Sequence, residues 1–208
     1  MKILKLTKIQ EKVLEEIVAS GITEGFYLAG GTALMMRYHH RFSGDFDFFL
    51  LPGRKFDVRS KISGLDGIRI LDEKKDTLIF EKDSIKFSFF DYDYPLLEPV
   101  SELNRYGVVA ASDKDIMCMK AVAVIQRGEK KDFFDLWYLM TSHNWGLEDV
   151  IEFCHAKYSD VFNPSLLIKA LTFFEDAERD EIADVDSKWN GVKNYFLELV
   201  ESTVVGRE

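Results

Sequence analysis

Two aspartates stand two positions apart in an otherwise apolar run, Gly44-Asp45-Phe46-Asp47-Phe48-Phe49-Leu50. On a strand, alternate residues share a face, so both carboxylates would look one way, about 6.6 Å apart along the chain. Phe46 and Phe48 would look the other way, into a core. Paired carboxylates on a wet face suit Mg²⁺, a hard cation that takes oxygen ligands. Shortly upstream, the apolar Phe26–Ala29 stretch runs into Gly30-Gly31-Thr32 and a helical pattern. A strand–Gly-Gly–helix junction presents bare N–H groups at a helix N-terminus, where anions are favoured and glycine allows close approach. Thr32 adds a hydroxyl there. Joined, the two features describe a nucleoside triphosphate on the turn, with a metal bridging its phosphate oxygens to the carboxylates. Taken singly, each has a plain structural explanation: a tight turn for the glycines, a solvated edge strand for the acids. Neither a GxxxxGK[ST] loop nor a GxGxxG fingerprint occurs, so the familiar nucleotide-binding loops are unsupported.

The elements that must position these residues follow from periodicity. A helix is expected over Thr7–Ser20, closed by Gly21, then a strand over Phe26–Ala29 and a helix over Thr32–Tyr38. A strand follows over Asp45–Leu51, ended by Pro52-Gly53, and a short helix over Phe56–Ile62. Ile68–Leu71, Thr77–Glu81 and Ile85–Phe90 read as strands, with Asp83-Ser84 as a hairpin tip. After Pro95 and Pro99 the character changes. Helical spacing covers Asp113–Gln126, Lys130–Thr141, Leu147–Lys157, Pro164–Phe174 and Ser187–Ser202. Mixed elements first and helices afterwards predict an α/β (α+β) core over residues 1–100 and an α-helical domain over residues 101–208.

Composition narrows the setting. The 208 residues are 47% hydrophobic and 30% charged, ordinary for a folded domain, and the formal net charge is −9. Such acidity argues against a nucleic-acid footprint over the whole surface, while a local basic groove stays open. Two local basic clusters stand out: Arg54, Lys55, Arg59 and Lys61, and Arg127, Lys130 and Lys131. Solvated helix faces explain both. The two cysteines, Cys118 and Cys154, lie in apolar helical patterns, so neither a disulfide framework nor a zinc site is indicated. No run reaches the roughly 20 apolar residues of a membrane span. The N-terminal stretch, with charges every few residues, does not read as a signal peptide. A cytoplasmic setting is expected, with no membrane partner.

Here the sequence resembles a known family. The stretch Gly30-Gly31-Thr32-Ala33-Leu34, followed by His40-Arg41-Phe42-Ser43-Gly44-Asp45-Phe46-Asp47-Phe48-Phe49, is similar to the first motif of the AbiEii/AbiGii-type nucleotidyltransferase toxins. That family sits in the DNA polymerase β-like nucleotidyltransferase superfamily. A second block, Asp115-Ile116, Met119-Lys120-Ala121, Arg127-Gly128 and Lys131-Asp132-Phe133-Phe134-Asp135-Leu136, resembles its later helical motifs, and the likeness spans residues 24–140. It implies a mixed-sheet nucleotidyltransferase core, Mg²⁺ held by Asp45 and Asp47, an NTP donor, and a toxin with an antitoxin encoded beside it. Some relatives transfer nucleotides to the acceptor end of tRNA. On this likeness Gly30, Gly31, Thr32, Arg41, Ser43 and Lys120 would bind nucleotide, and Asp45, Asp47, Lys120 and Asp132 would be catalytic, with Asp132 and Asp135 on one helix face beside the lysine. Structural explanations stand next to these: a snorkelling stem for Lys120, and a Lys131–Asp135 salt bridge. His39 is given no role.

One departure bears on the chemistry. Superfamily members place a third carboxylate on a later strand; here Ile85-Lys86-Phe87-Ser88-Phe89-Phe90 puts Ser88 at that position. Asp91 and Asp93 have the opposite parity and would need a bulge to reach the site. Three readings follow. The first is a Mg²⁺-dependent transfer of a nucleotide from an NTP to an acceptor hydroxyl, such as the tRNA acceptor end. The second is a catalytically weakened nucleotide-binding or interaction module, and the third a small-molecule nucleotidyltransferase.

Overall fold

The computed structural model describes residues 5–103 and 106–205. The outer ends of the two expected domains, residues 1–4 and 206–208, lie outside the described residues. The chain divides into two compact units, Met1–Ser112 and Asp113–Glu208.

The first unit carries α1 (Lys8–Ala19), β1 (Phe26–Ala29), α2 (Gly30–Tyr38), β2 (Phe46–Leu50), α3 (Val58–Ile62), β3 (Ile68–Lys74), β4 (Thr77–Lys82), β5 (Ile85–Phe90), β6 (Ser101–Leu103) and β7 (Val108–Ala110). Helix α1 begins on a reciprocal cap. The Gln10 N–H donates to Thr7 Oγ1 at 3.2 Å and the Thr7 N–H to Gln10 Oε1 at 2.8 Å, which satisfies two otherwise orphaned donors. The strands form one mixed sheet in the order β3-β4-β5-β2-β1-β7-β6. β1 runs antiparallel to β2, while β2–β5 and β1–β7 are parallel. Asp83 and Ser84 both have positive φ (49° and 63°), the geometry a two-residue hairpin of native twist demands.

Alternation decides the faces of the sheet. Phe46, Phe48, Phe80, Phe87 and Phe89 are fully buried on one side. Phe46 stacks on Phe87 at 4.9 Å and Phe48 on Phe89 at 5.0 Å. Cross-strand aromatic pairs of this kind fix register as well as adding burial. The outer strand β3 is largely exposed and charged, with a bulge between Ile70 and Asp72, features that discourage edge pairing.

Several boundaries differ from the sequence expectation. Gly30 and Gly31 do not precede α2; they form its first turn. β2 starts at Phe46, so Asp45 lies just before the strand rather than in it. The sheet also does not stop near residue 100, because β6 and β7 add a hairpin and β7 pairs with β1. Three-residue strands carry too little alternation to be read.

The second unit contains α4 (Asp113–Gln126), α5 (Lys130–His143), α6 (Leu147–Tyr158), α7 (Pro164–Ala170), α8 (Ala183–Asp186) and α9 (Trp189–Val205). Its core is aromatic around Phe133, whose ring meets Phe174, Trp189 and Phe196 at 5.3 to 5.9 Å. Helix α7 stops short of the expected Phe174. Thr172 and Phe173 donate to Lys169 and Ala170, three residues back, which tightens the chain out of the α pattern. No helix among the described residues is long and apolar enough to cross a membrane.

Candidate active site

The junction of β1 and α2 opens beside β2. Ala29 pairs with Asp47 across the sheet, and Gly30 follows with φ +73°, a conformation open to glycine at little cost. A Cβ on Gly30 would lie 3.4 Å from Asp47 Oδ2. The Gly-Gly turn therefore meets the carboxylate it was expected to meet. On Gly31 a Cβ would overlap the Arg41 guanidinium and stand 3.1 Å from Ser43 Oγ. Bare backbone lets a buried cation lie against the first turn of α2. Positive charge from the guanidinium adds to the positive end of the helix, and both favour an anion at this spot.

The loop between α2 and β2 is tied down by hydroxyls. The Asp45 carbonyl can only accept, so Thr32 donates its single hydroxyl hydrogen to it, and Ser43 Oγ, 2.8 Å away, donates to Thr32 Oγ1. Both hydroxyls, expected at a phosphate, thus hold the backbone that carries Asp45. Arg41 Nη1 donates to the Phe42 carbonyl at 2.9 Å. Sequence reasoning missed Gln10. Its amide donates to the carbonyls of Ser43 (3.3 Å) and Gly44 (3.0 Å) while its oxygen caps α1. The capping pattern was readable; the contact 34 residues away was not.

On β5, the parallel register sets Ser88 directly beside Asp47. Ser88 is buried, 2% exposed. Pairing runs without a break from Ile85 to Phe90 on the β4 side, so no bulge within β5 brings Asp91 or Asp93 into phase. The Asp91 N–H donates to the Asp76 carbonyl at 2.8 Å, and both acids are exposed beyond the strand. Lys86, two residues before Ser88 and on the same face, places Nζ 2.7 Å from Asp45 Oδ2. The lysine was not singled out in the sequence. Farther along this face Tyr27 stacks on Phe49 (5.7 Å), and Phe49 on Phe90 (5.3 Å).

In the second unit, Lys120 of α4 reaches two carboxylates of α5, Asp132 Oδ1 at 2.8 Å and Asp135 Oδ2 at 2.7 Å. Arg127 grips Asp132 from the other side, Nε to Oδ2 at 2.7 Å and Nη2 to Oδ1 at 3.0 Å. The spacing of Asp132 and Asp135 puts both on one helix face, as expected. Burial opposes ionisation of Asp132 most strongly, yet Lys120 and Arg127 together outweigh it and hold its carboxyl below the usual range. Lys131 pairs with Glu129 at 2.8 Å. Lys120 is buried rather than a surface stem. A second internal pair, Lys157–Asp115 at 2.7 Å, is fully buried and was not anticipated.

The two basic clusters differ in fate. Arg127, Lys130 and Lys131 are all engaged: Lys130 is buried and bound to Asp186 at 2.8 Å. In the other cluster Arg59 pairs with Glu73 at 2.8 Å and Lys61 Nζ donates to the Gly21 carbonyl at 2.7 Å, while Arg54 and Lys55 are exposed and line a cavity of about 520 Å³ together with Glu24, Gly25, Asp57 and Lys61.

Comparison with known proteins gives the family and the fold. The family described as "Nucleotidyl transferase AbiEii toxin, Type IV TA system" matches residues 12–98 and 93–204. An uncharacterized protein of Aquifex aeolicus (strain VF5) is 48% identical over 200 residues, covering 95% of this chain and 97% of the relative. A crystal structure of a putative nucleotidyltransferase from H. pylori aligns with a TM-score of 0.52 at 15% identity, over 98% of this chain and 99% of that one. ANT(2″)-Ia in complex with adenylyl-2″-tobramycin aligns with a TM-score of 0.56 at 16% identity, over 72% of this chain and 97% of its own. At such identities the likeness is one of fold.

Proposed function

Because the chain belongs to the AbiEii nucleotidyltransferase toxin family, we propose that it transfers a nucleotide from an NTP to an acceptor hydroxyl, with Mg²⁺ at Asp45 and Asp47. The observation that carries the proposal is the close approach of Gly30 to Asp47, which sets an anion-binding helix mouth against a carboxylate. The donor set fits the metal. No group of three or more His, Cys, Asp or Glu side chains suited to a metal occurs among the described residues, but Mg²⁺ is commonly held by one or two carboxylates plus substrate phosphates and water. The Lys86 ammonium at Asp45 marks the same spot as one that draws positive charge. When bound, the metal would supply charge neutralisation at the phosphates.

The chain's own residues do the rest. The first-turn N–H groups of α2 and the Arg41 guanidinium bind the triphosphate. Thr32, Ser43 and Gln10 hold the loop so that Asp45 stays in place. The acceptor oxygen attacks the α-phosphorus, the bond to the bridging oxygen breaks, and pyrophosphate leaves. With Ser88 beside Asp47, Asp47 is the carboxylate left to take the acceptor's proton. Lys120 and Asp132 are assigned to the reaction on the family motif alone. We take the acceptor to be an RNA hydroxyl of the tRNA acceptor-end type and the biological role to be that of a toxin paired with an antitoxin.

Ser88 favours a second reading, a nucleotide binder whose transfer is slow. A positioned general base is commonly worth about 10²–10⁴ in rate. The test incubates the purified protein with each labelled NTP, Mg²⁺ and either total tRNA or an aminoglycoside, and measures nucleotide affinity in parallel. Asp47→Ala is expected to abolish Mg²⁺-dependent binding, with circular dichroism used to check that the fold survives. Equal affinity in parent and variant would sink the site. Label on the aminoglycoside and none on tRNA would overturn the RNA assignment.

A further inference from the structure

We infer that Lys86 is a built-in cation of the carboxylate site, so that this chain takes one divalent ion rather than two. The inference rests on the reading of Asp45 and Asp47 as the metal pair. The β2–β5 register sets Phe46 against Phe87 and Asp47 against Ser88, so Asp47, Ser88 and Lys86 share one face, and Asp45, just before β2, meets Lys86 there. Lys86 Nζ lies 2.7 Å from Asp45 Oδ2, with both side chains about half exposed, 41% and 48%. A second divalent ion at such a site needs negative charge to hold it, and the neighbouring strand offers none. The position beside Asp47 is a neutral hydroxyl, and the next residue outward on that face is itself a cation. Two carboxylates beside the Lys86 ammonium, with the Arg41 guanidinium at the adjoining helix mouth, leave no surplus of negative charge for a second ion, while one ion binds together with the triphosphate that brings its own oxygens.

A lysine suits this place physically. Its ammonium is a compact, strongly hydrated point charge on a flexible stem. At the solvent edge it holds the Asp45 carboxylate in position before substrate arrives. Arginine keeps the charge; methionine keeps the stem and removes it.

The test counts metal ions directly. Free Mn²⁺ is followed by electron paramagnetic resonance during titration of the parent, Lys86→Met and Lys86→Arg. Each is titrated with and without a non-hydrolysable NTP analogue, and circular dichroism checks the fold. With the analogue, the parent and Lys86→Arg are expected to bind one Mn²⁺ per chain. Lys86→Met is expected to bind a second ion or to bind Mn²⁺ about tenfold tighter, the order of effect of removing one like charge beside a divalent ion in a solvated site. Two Mn²⁺ per parent chain would overturn the inference, as would a Lys86→Met titration that matches the parent. If no nucleotide binds to any of the three proteins, the proposed function fails. The nucleotide-free titration still compares parent with Lys86→Met and decides whether the ammonium opposes metal at Asp45.

Discussion

Lys120→Met removes an ammonium that bridges two fully buried carboxylates. The lysine side chain is 7% exposed, and those of Asp132 and Asp135 are 0% exposed. Asp132 keeps the bidentate Arg127, which offsets part of its loss. Breaking a buried pair by deleting one partner costs about 3–5 kcal/mol, because a charge stays buried without its compensation. With an m-value of about 2 kcal/mol per molar urea, the unfolding midpoint should fall by about 1.5–2.5 M. The assay isolates the right unit, since Trp137, Trp145 and Trp189 are the chain's three tryptophans and all lie in Asp113–Glu208. Tryptophan fluorescence in urea therefore follows the helical unit alone. Adding Asp135→Asn to Lys120→Met should restore part of the loss, because the amide needs no counter-charge. A Lys120→Met midpoint equal to the parent's would refute the reasoning and show that the ammonium does not stabilise the helical unit.

Gly31→Ala should leave thermal stability within about 1 kcal/mol, since alanine suits a helix, yet weaken nucleotide binding by about tenfold or more as Arg41 is pushed away; fluorescence titration with an NTP analogue would expose an unchanged affinity. The Asp132 carboxyl is held low, so its stabilisation is complete above the unfolded value of about 3.9 and is lost as pH falls through the folded value. Melts of the helical unit should fall steeply below about pH 4, and Asp132→Asn should flatten that limb. The hydrogen bond to Cys118 and burial push the Cys154 thiol far up, and both cysteines are buried. Neither should react with a disulfide reagent at pH 8 until the protein is unfolded, and rapid native labelling would contradict the packing.

What was legible in the sequence is what depends on short periods. Alternation placed Asp47 opposite Phe46 and Phe48, and the same period of two set Ser88 at the position that neighbours Asp47. The Asp83-Ser84 tip was readable because few residue pairs accept two positive φ angles. Contacts across long stretches were not legible. Nothing local tells Gln10 to reach Gly44, or Lys157 to reach Asp115 across 42 residues. Lys86 was passed over because a lysine on a half-wet strand reads as solvation until its neighbour is known. The Arg127, Lys130 and Lys131 cluster reads as a basic surface in one dimension, while in three dimensions carboxylates from α5, α8 and the α4–α5 turn occupy it. Helix α7 ends early through three-residue hydrogen bonds, which side-chain periodicity does not report.

Ser88→Asp decides how the acceptor's proton is handled. Parallel neighbours lie about 4.8 Å apart, so an aspartate at 88 would set a second carboxylate beside Asp47 at a position that is 2% exposed in the parent. Without metal the two charges repel in a poorly solvated place, and the variant should melt below the parent. Added Mn²⁺ should recover most of that loss, because a divalent ion between two carboxylates binds the folded state and not the unfolded one. If the parent lacks a positioned base, transfer should rise by a detectable part of the 10²–10⁴ such a base supplies. Asp91→Asn and Asp93→Asn should meanwhile leave the parent's rate unchanged, since β5 keeps its register to Phe90 and both acids follow it in exposed positions. A fast parent silenced by Asp91→Asn or Asp93→Asn would mean that the chain beyond β5 turns back to the site when substrate binds, and the parity argument would fail. A fast parent indifferent to both, with Ser88→Asp slower, would leave Asp47 as the proton acceptor and show that the serine is the residue the reaction uses best.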